Sequence, residues 1–170
     1  INLAQSLGLC VLDGVRVDKT YLASEDIYVI GDLAFSEKRS KTRIESVHHA
    51  QFSAAVAAAS ITGSALPEQE PFWFWSNQHD VKLQIAGILP QTSESQQIHN
   101  EVRLGKKEGC FSVWSWYQHK LVCIEAVEDP QSFMVGKRLL EGDIYVSPEM
   151  IADERVPLKQ LFEKLMTNAR

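Results

Sequence analysis

The residues best suited to chemistry are Gly31 and Asp32, which close the run Ile27-Tyr28-Val29-Ile30-Gly31-Asp32. Glycine lets a backbone lie close against a ligand, and an aspartate carboxylate accepts hydrogen bonds from hydroxyl groups. The four residues before them are apolar and mostly β-branched or aromatic. They suit a fully buried strand whose carboxyl end opens on a ligand crevice. The same aspartate also suits a turn or a helix cap. A second candidate is the helix start at Val47 and His48, after Arg43-Ile44-Glu45-Ser46. Amides of a first helical turn lack intrahelical acceptors, and a helix start attracts anions. A solvated start with two surface histidines is the plainer alternative. The third candidate is the aromatic run Phe72-Trp73-Phe74-Trp75, followed by Ser76-Asn77-Gln78-His79-Asp80. Such a cluster most simply packs a core.

In this order, and followed by Leu83-Gln84-Ile85-Ala86-Gly87, these segments resemble the C-terminal part of FAD-dependent NAD(P)H:ferredoxin reductases. These are the rubredoxin and putidaredoxin reductase-like members of the pyridine nucleotide-disulfide oxidoreductase superfamily. The resemblance spans nearly the whole chain, from Asn2-Leu3-Ala4 through Gly14-Val15-Arg16-Val17-Asp18 to the final helices. Ala23 stands where threonine is usual in that family, Asn77 where aspartate is usual, and His79 where tyrosine is common. The resemblance implies that Asp32 binds the ribityl hydroxyls of FAD, with Gly31 allowing the approach. It implies that the backbone at Val47 and His48 meets the N1 and O2 edge of the ring, where reduced flavin carries negative charge. Trp75 would lie near the isoalloxazine, shielding it and bordering the path to an iron–sulfur partner. The implied activity passes electrons from NAD(P)H through FAD to a ferredoxin-type iron–sulfur protein, and no side chain is assigned a catalytic role. None of the 9 glycines forms a G-x-G-x-x-G element, so the first FAD-binding half and the nicotinamide-binding domain are expected outside this segment. By itself the segment is expected to be inactive. The His-Pro pair of dithiol disulfide reductases does not occur.

Several elements must position these residues. Leu3 to Leu7 reads as a short helix, and Val11 and Val15 to Val17 flank the turn signal Asp13-Gly14, which suggests a small hairpin or paired short strands. Ser46 suits an N-cap and Gly63 a left-handed C-terminal stop for an alanine-rich helix, with Val47, Phe52, Val56 and Ile61 taken as its buried face. Composition shifts over Ser64 to Pro71, and the domain boundary is placed there. Residues 1–66 are read as the C-terminal portion of an FAD-binding α/β domain and residues 67–170 as a C-terminal interface domain. In the latter, Leu83 to Leu89, Ile98 to Leu104, Cys110 to Tyr117 and Lys120 to Val127 read as strands of an antiparallel sheet. Asp129-Pro130 opens a helix ending at Gly142, and short helices fill Pro148 to Ala152 and Leu158 to Met166. Strands followed by helices make the fold class α+β.

Length of 170 residues and 45% apolar content permit a real core, and a net charge of −5 argues against a general nucleic-acid binder. No apolar run approaches a membrane span. Cys10, Cys110 and Cys123 are scattered, suiting buried free thiols in a reducing cytoplasm, and no zinc-type spacing occurs. Arg43 and Glu45 suit an ion pair ordering their loop. Lys38, Arg39, Lys41 and Arg43 form a dense basic patch, either simply solvated or steering an acidic ferredoxin. His99 and His119 gain no role. The rival reading is a non-catalytic interaction or dimerisation module whose aromatic strand, Trp114, Trp116 and Tyr117, contacts a partner. Burial of those aromatics under the Asp129 helix would mark them as plain core instead.

Overall fold

The structure, a computed structural model, describes residues 1–38, 40, 42–90 and 97–168. Two compact units, Ile1–Gln69 and Glu70–Arg170, each hold an apolar core, and the fold class is α+β.

In the first unit, α1 (Asn2–Ser6) leads to Val11, whose single antiparallel bridge to Val15 closes the Asp13-Gly14 turn. The hairpin goes no further. β1 (Val15–Arg16) pairs instead in parallel with a later strand, which places Val15 opposite Ala34 and Arg16 opposite Phe35. β2 (Leu22–Ser24) and β3 (Ile27–Tyr28) form a short antiparallel ladder with an irregular register. This corrects the expected buried strand over 27–30. Ile27 and Tyr28 are half-buried, and Ile30 is 44% exposed. The reason lies in the partner: β2 offers only three residues, so pairing stops at Tyr28. Val29 N–H then donates to the Tyr21 carbonyl at 3.0 Å, and the chain enters a single 3-10 turn, Gly31–Leu33, followed by β4 (Ala34–Phe35).

α2 (Val47–Thr62) starts and stops where its caps require. The Ser46 hydroxyl accepts from His49 N–H, and Gly63 is left-handed at φ 68°. Its buried face is not the one expected from sequence. His49, Ser53, Val56 and Ala57 are buried, whereas Val47 and Ile61 are more than half exposed. At roughly 100° per residue, Val47 and Ile61 lie about 140° or more from Val56 around the helix, so the four apolar residues never formed one stripe.

The second unit is a five-stranded antiparallel sheet of β5 (Trp73–Gln78), β6 (Val81–Gly87), β7 (Ile98–Leu104), β8 (Phe111–Tyr117) and β9 (Lys120–Val127). The spatial order is β5-β6-β9-β8-β7. The aromatic run is thus itself an edge strand, which the sequence reading missed because clustered aromatics show no period-2 alternation. Trp73, Ala86, Ile124 and Trp114 fall on one face by register, and α3 (Pro130–Glu141) lies there. A Cβ at Gly136 would stand 2.6 Å from Ile124 Cγ2, so glycine is what lets α3 approach the sheet so closely. α4 (Pro148–Ala152) and α5 (Leu158–Asn168) complete the cover, with Ile151, Leu158 and Leu161 in the core. Trp114 and Trp116 are buried at 0% and 2%, their indole N–H groups bonded to Ser112 Oγ and the Val146 carbonyl. Both are plain core, whereas Tyr117, the third aromatic of the strand, is half-buried.

Candidate functional site

The Gly31–Leu33 turn packs against α2 and brings together residues far apart in sequence. Gly31 is left-handed at φ 65°, and its N–H donates to Ser53 Oγ at 2.9 Å. A Cβ there would find ordinary contact, 3.7 Å from Ala50 Cβ, so the backbone conformation rather than space calls for glycine. Ser53 Oγ in turn donates to the Ala50 carbonyl at 3.0 Å. Asp32 sits on the turn with its side chain exposed, not at the end of a buried strand. Its carboxylate therefore needs no internal partner. The Asp32 carbonyl accepts from Arg43 Nη1 at 3.2 Å, while Arg43 Nη2 pairs with Glu45 at 2.6 Å and Arg43 N–H donates to Asp13 at 3.3 Å. Arg43 thus fastens the loop before α2 to the Gly-Asp turn, and its ion pair with Glu45 is the one expected from sequence. Lys38 is exposed, and Arg39 and Lys41 lie outside the described residues.

At the start of α2, Ser46 Oγ takes His49 N–H at 3.1 Å and the Ser46 carbonyl takes Ala50 N–H. Val47 N–H, by position, has no acceptor within the helix. Val47 is exposed, and His48 is half-buried with its ring stacked on Phe52 at 6.5 Å. His49 is not a surface histidine. It is 4% exposed, with Nε2 3.1 Å from the hydroxyl of the fully buried Tyr21. Sequence reasoning missed His49, Ser53 and Tyr21. Their signal was spacing: 49, 53 and 56 follow the i, i+4, i+7 rule of a buried stripe. The structure thus joins the turn that carries the exposed Asp32 to the first half of α2 through the contacts of Gly31 with Ala50 and Ser53.

In the second unit, Trp75 is 43% exposed on β5 and lies 5.6 Å from Trp73, whose ring packs edge-on to Phe133 at 6.0 Å. Trp73 belongs to the core margin; Trp75 does not. His99 and His119 meet at a separate concavity of about 470 Å³, floored by Trp116. Among the described residues, no three His, Cys, Asp or Glu side chains gather to hold a metal, and no helix is long and apolar enough to cross a membrane. The thiols differ from expectation. Only Cys123 is buried, and its burial, with the nearby Glu125 charge, pushes its pKa up to about 12; Cys110 is half-buried and Cys10 exposed.

Residues 73–162 match the family described as Reductase C-terminal. The chain belongs to this family. Among relatives of this reductase C-terminal chain, rhodocoxin reductase of Rhodococcus erythropolis is 34% identical over 164 residues, covering 94% of this chain and 37% of the relative. Putidaredoxin reductase CamA of Pseudomonas putida is 29% identical, covering 94% of this chain and 38% of that protein. The chain also superposes on the reductase of the covalent putidaredoxin reductase–putidaredoxin complex with a TM-score of 0.83 at 27% identity, covering 99% of this chain and 39% of that one. The ferredoxin reductase for the CYP199A2 system of Rhodopseudomonas palustris gives 0.81 at 34%, covering 94% and 39%. The reductase C-terminal chain therefore spans less than two-fifths of the length of these proteins.

Proposed function

We propose that this chain is part of a flavoprotein reductase that passes electrons from NAD(P)H through FAD to a ferredoxin-type iron–sulfur protein. Residues 1–66 are assigned to the FAD-binding domain and 67–170 to the C-terminal reductase domain. The observation that carries the reading is the meeting of the Gly31-Asp32 turn with the first half of α2 through the Gly31–Ser53 hydrogen bond. Asp32 would hold ribityl hydroxyls, the amides at Val47 and His48 would face the pyrimidine edge, and Trp75 is assigned to the ring by the resemblance. Bound FAD supplies the change from two-electron to one-electron transfer; the protein supplies position and electrostatics. Relatives carrying the names of ferredoxin and putidaredoxin reductases support the same reading.

Two results test it. The 170-residue chain alone is expected to oxidise no NAD(P)H and to retain FAD poorly, since the remainder of the cofactor site is assigned outside it. A purified chain that stays yellow with stoichiometric FAD after gel filtration contradicts this. In the full-length protein, Trp75→Ala is expected to perturb flavin absorbance and to slow electron delivery to ferredoxin more than hydride reduction. Because Trp75 is 43% exposed, the stability loss should be about 1 kcal/mol, the scale of one aromatic pair. A normal flavin spectrum with equal losses in both half-reactions would show that Trp75 has no place beside the ring.

A further inference from the structure

Tyr21 carries a conformational cost that packing alone does not explain. It is fully buried and left-handed at φ 66°, a backbone region that costs a side-chain-bearing residue about 1–2 kcal/mol. Its main chain is held on both sides: Tyr21 N–H donates to the Asp18 carbonyl at 3.2 Å, and the Tyr21 carbonyl accepts Val29 N–H at 3.0 Å. The phenol is thereby aimed at α2, where its oxygen lies 3.1 Å from His49 Nε2. One turn further along the same helix face, Ser53 Oγ accepts Gly31 N–H at 2.9 Å. Two directional bonds, one turn apart, therefore lock the first half of α2 to the segment that ends in Gly31-Asp32. The field of a helix start falls away within its first turn, so its effect on a neighbouring charge depends on where the amides at 47 and 48 stand. Apolar contacts at Val56 and Ala57 lie farther along the helix, beyond the turn that carries the amides at 47 and 48.

We propose that Tyr21 and His49 are positioning residues for the flavin: by holding the start of α2 in register they set how strongly its amides favour the reduced cofactor. This rests on the flavin reading above. The test is the FAD midpoint potential of the full-length holoprotein, equilibrated against a reference dye, for wild type, Tyr21→Phe, His49→Leu and the double variant. Each single change is expected to weaken binding of reduced relative to oxidised FAD by about tenfold, a shift of about 30 mV to more negative potential for a two-electron couple. The double variant should shift no further than either single one, because both remove the same bond. His49→Gln, whose amide can still pair with the phenol, should recover part of the shift. If Tyr21→Phe does not fold, the comparison of His49→Leu with His49→Gln decides alone. Loaded, folded variants with wild-type potentials, or shifts that simply add, overturn the positioning role and leave the flavin assignment standing. A wild-type protein that holds no flavin overturns both.

Discussion

Asp32→Ala in the full-length protein is expected to weaken FAD retention between about tenfold and about a hundredfold. A hydrogen bond to a charged acceptor contributes roughly 1.5–3 kcal/mol, and each 1.4 kcal/mol is a factor of ten in binding. Exposure of Asp32 makes this a clean measurement. Its carboxylate supports no buried contact, so the melting temperature of the flavin-free protein should hardly move, as for most surface substitutions. Asp32→Asn keeps one acceptor oxygen without the charge and should fall between. The readout is the rate at which FAD fluorescence rises on dilution. A wild-type dissociation rate in Asp32→Ala would remove Asp32 from the cofactor site, whatever became of Gly31.

Arg103→Leu should cost about 3–5 kcal/mol, a large share of the 5–15 kcal/mol typical of a folded domain. Arg103 is 6% exposed on β7, and its guanidinium donates to three main-chain carbonyls: Ile151 at 2.6 Å, Asp153 at 3.2 Å and Val156 at 2.7 Å. Removing it leaves those acceptors without their donor, at about 1–3 kcal/mol for each one that water cannot reach. Glu154 secures the same edge by accepting Leu104 N–H at 3.1 Å. Arg103→Lys should recover little, because one ammonium cannot reproduce a planar fork reaching three oxygens. Urea unfolding with an unchanged denaturant slope would give the number. A midpoint within 1 kcal/mol of wild type would mean that the α4–α5 connection rests on its apolar contacts instead.

What the sequence made legible divides by the range of the interactions. Local signals read true: Ser46 and Gly63 bound α2, and Pro130 opens α3. These depend on neighbours a few residues away. The failures depend on partners elsewhere. Ile27 to Ile30 looked like a buried strand because its composition is apolar, but burial is decided by what pairs with it, and only the short β2 does. The Trp73 edge strand was hidden because its clustered aromatics show no alternation. Arg103 attracted no notice, since nothing local marks an arginine that will meet carbonyls some fifty positions later. At the candidate site, Gly31, Asp32, Val47 and His48 stood out by type and order. The residues that hold them in place did not: His49 and Ser53 left only the spacing of a buried stripe, and Tyr21 left no local trace of its bond to His49 across 28 positions.

The strand order has a kinetic consequence for the aromatic edge. β5 and β6 form one hairpin, and β7, β8 and β9 form a meander; both are local in sequence and close on the microsecond scale of hairpins. A single long-range ladder, Leu83–Gly87 on Cys123–Val127, joins the two pieces, and such distant pairings form late. α3 lies across β6 and β9 together and acts as the clasp over that seam. The hairpin bearing Trp73 and Trp75 is thus the piece attached last, and the one positioned to open as a unit when the sheet fluctuates. A mutation at Ala86 or Ile124, buried in the seam, would change how long Trp75 stays in place without ever touching it.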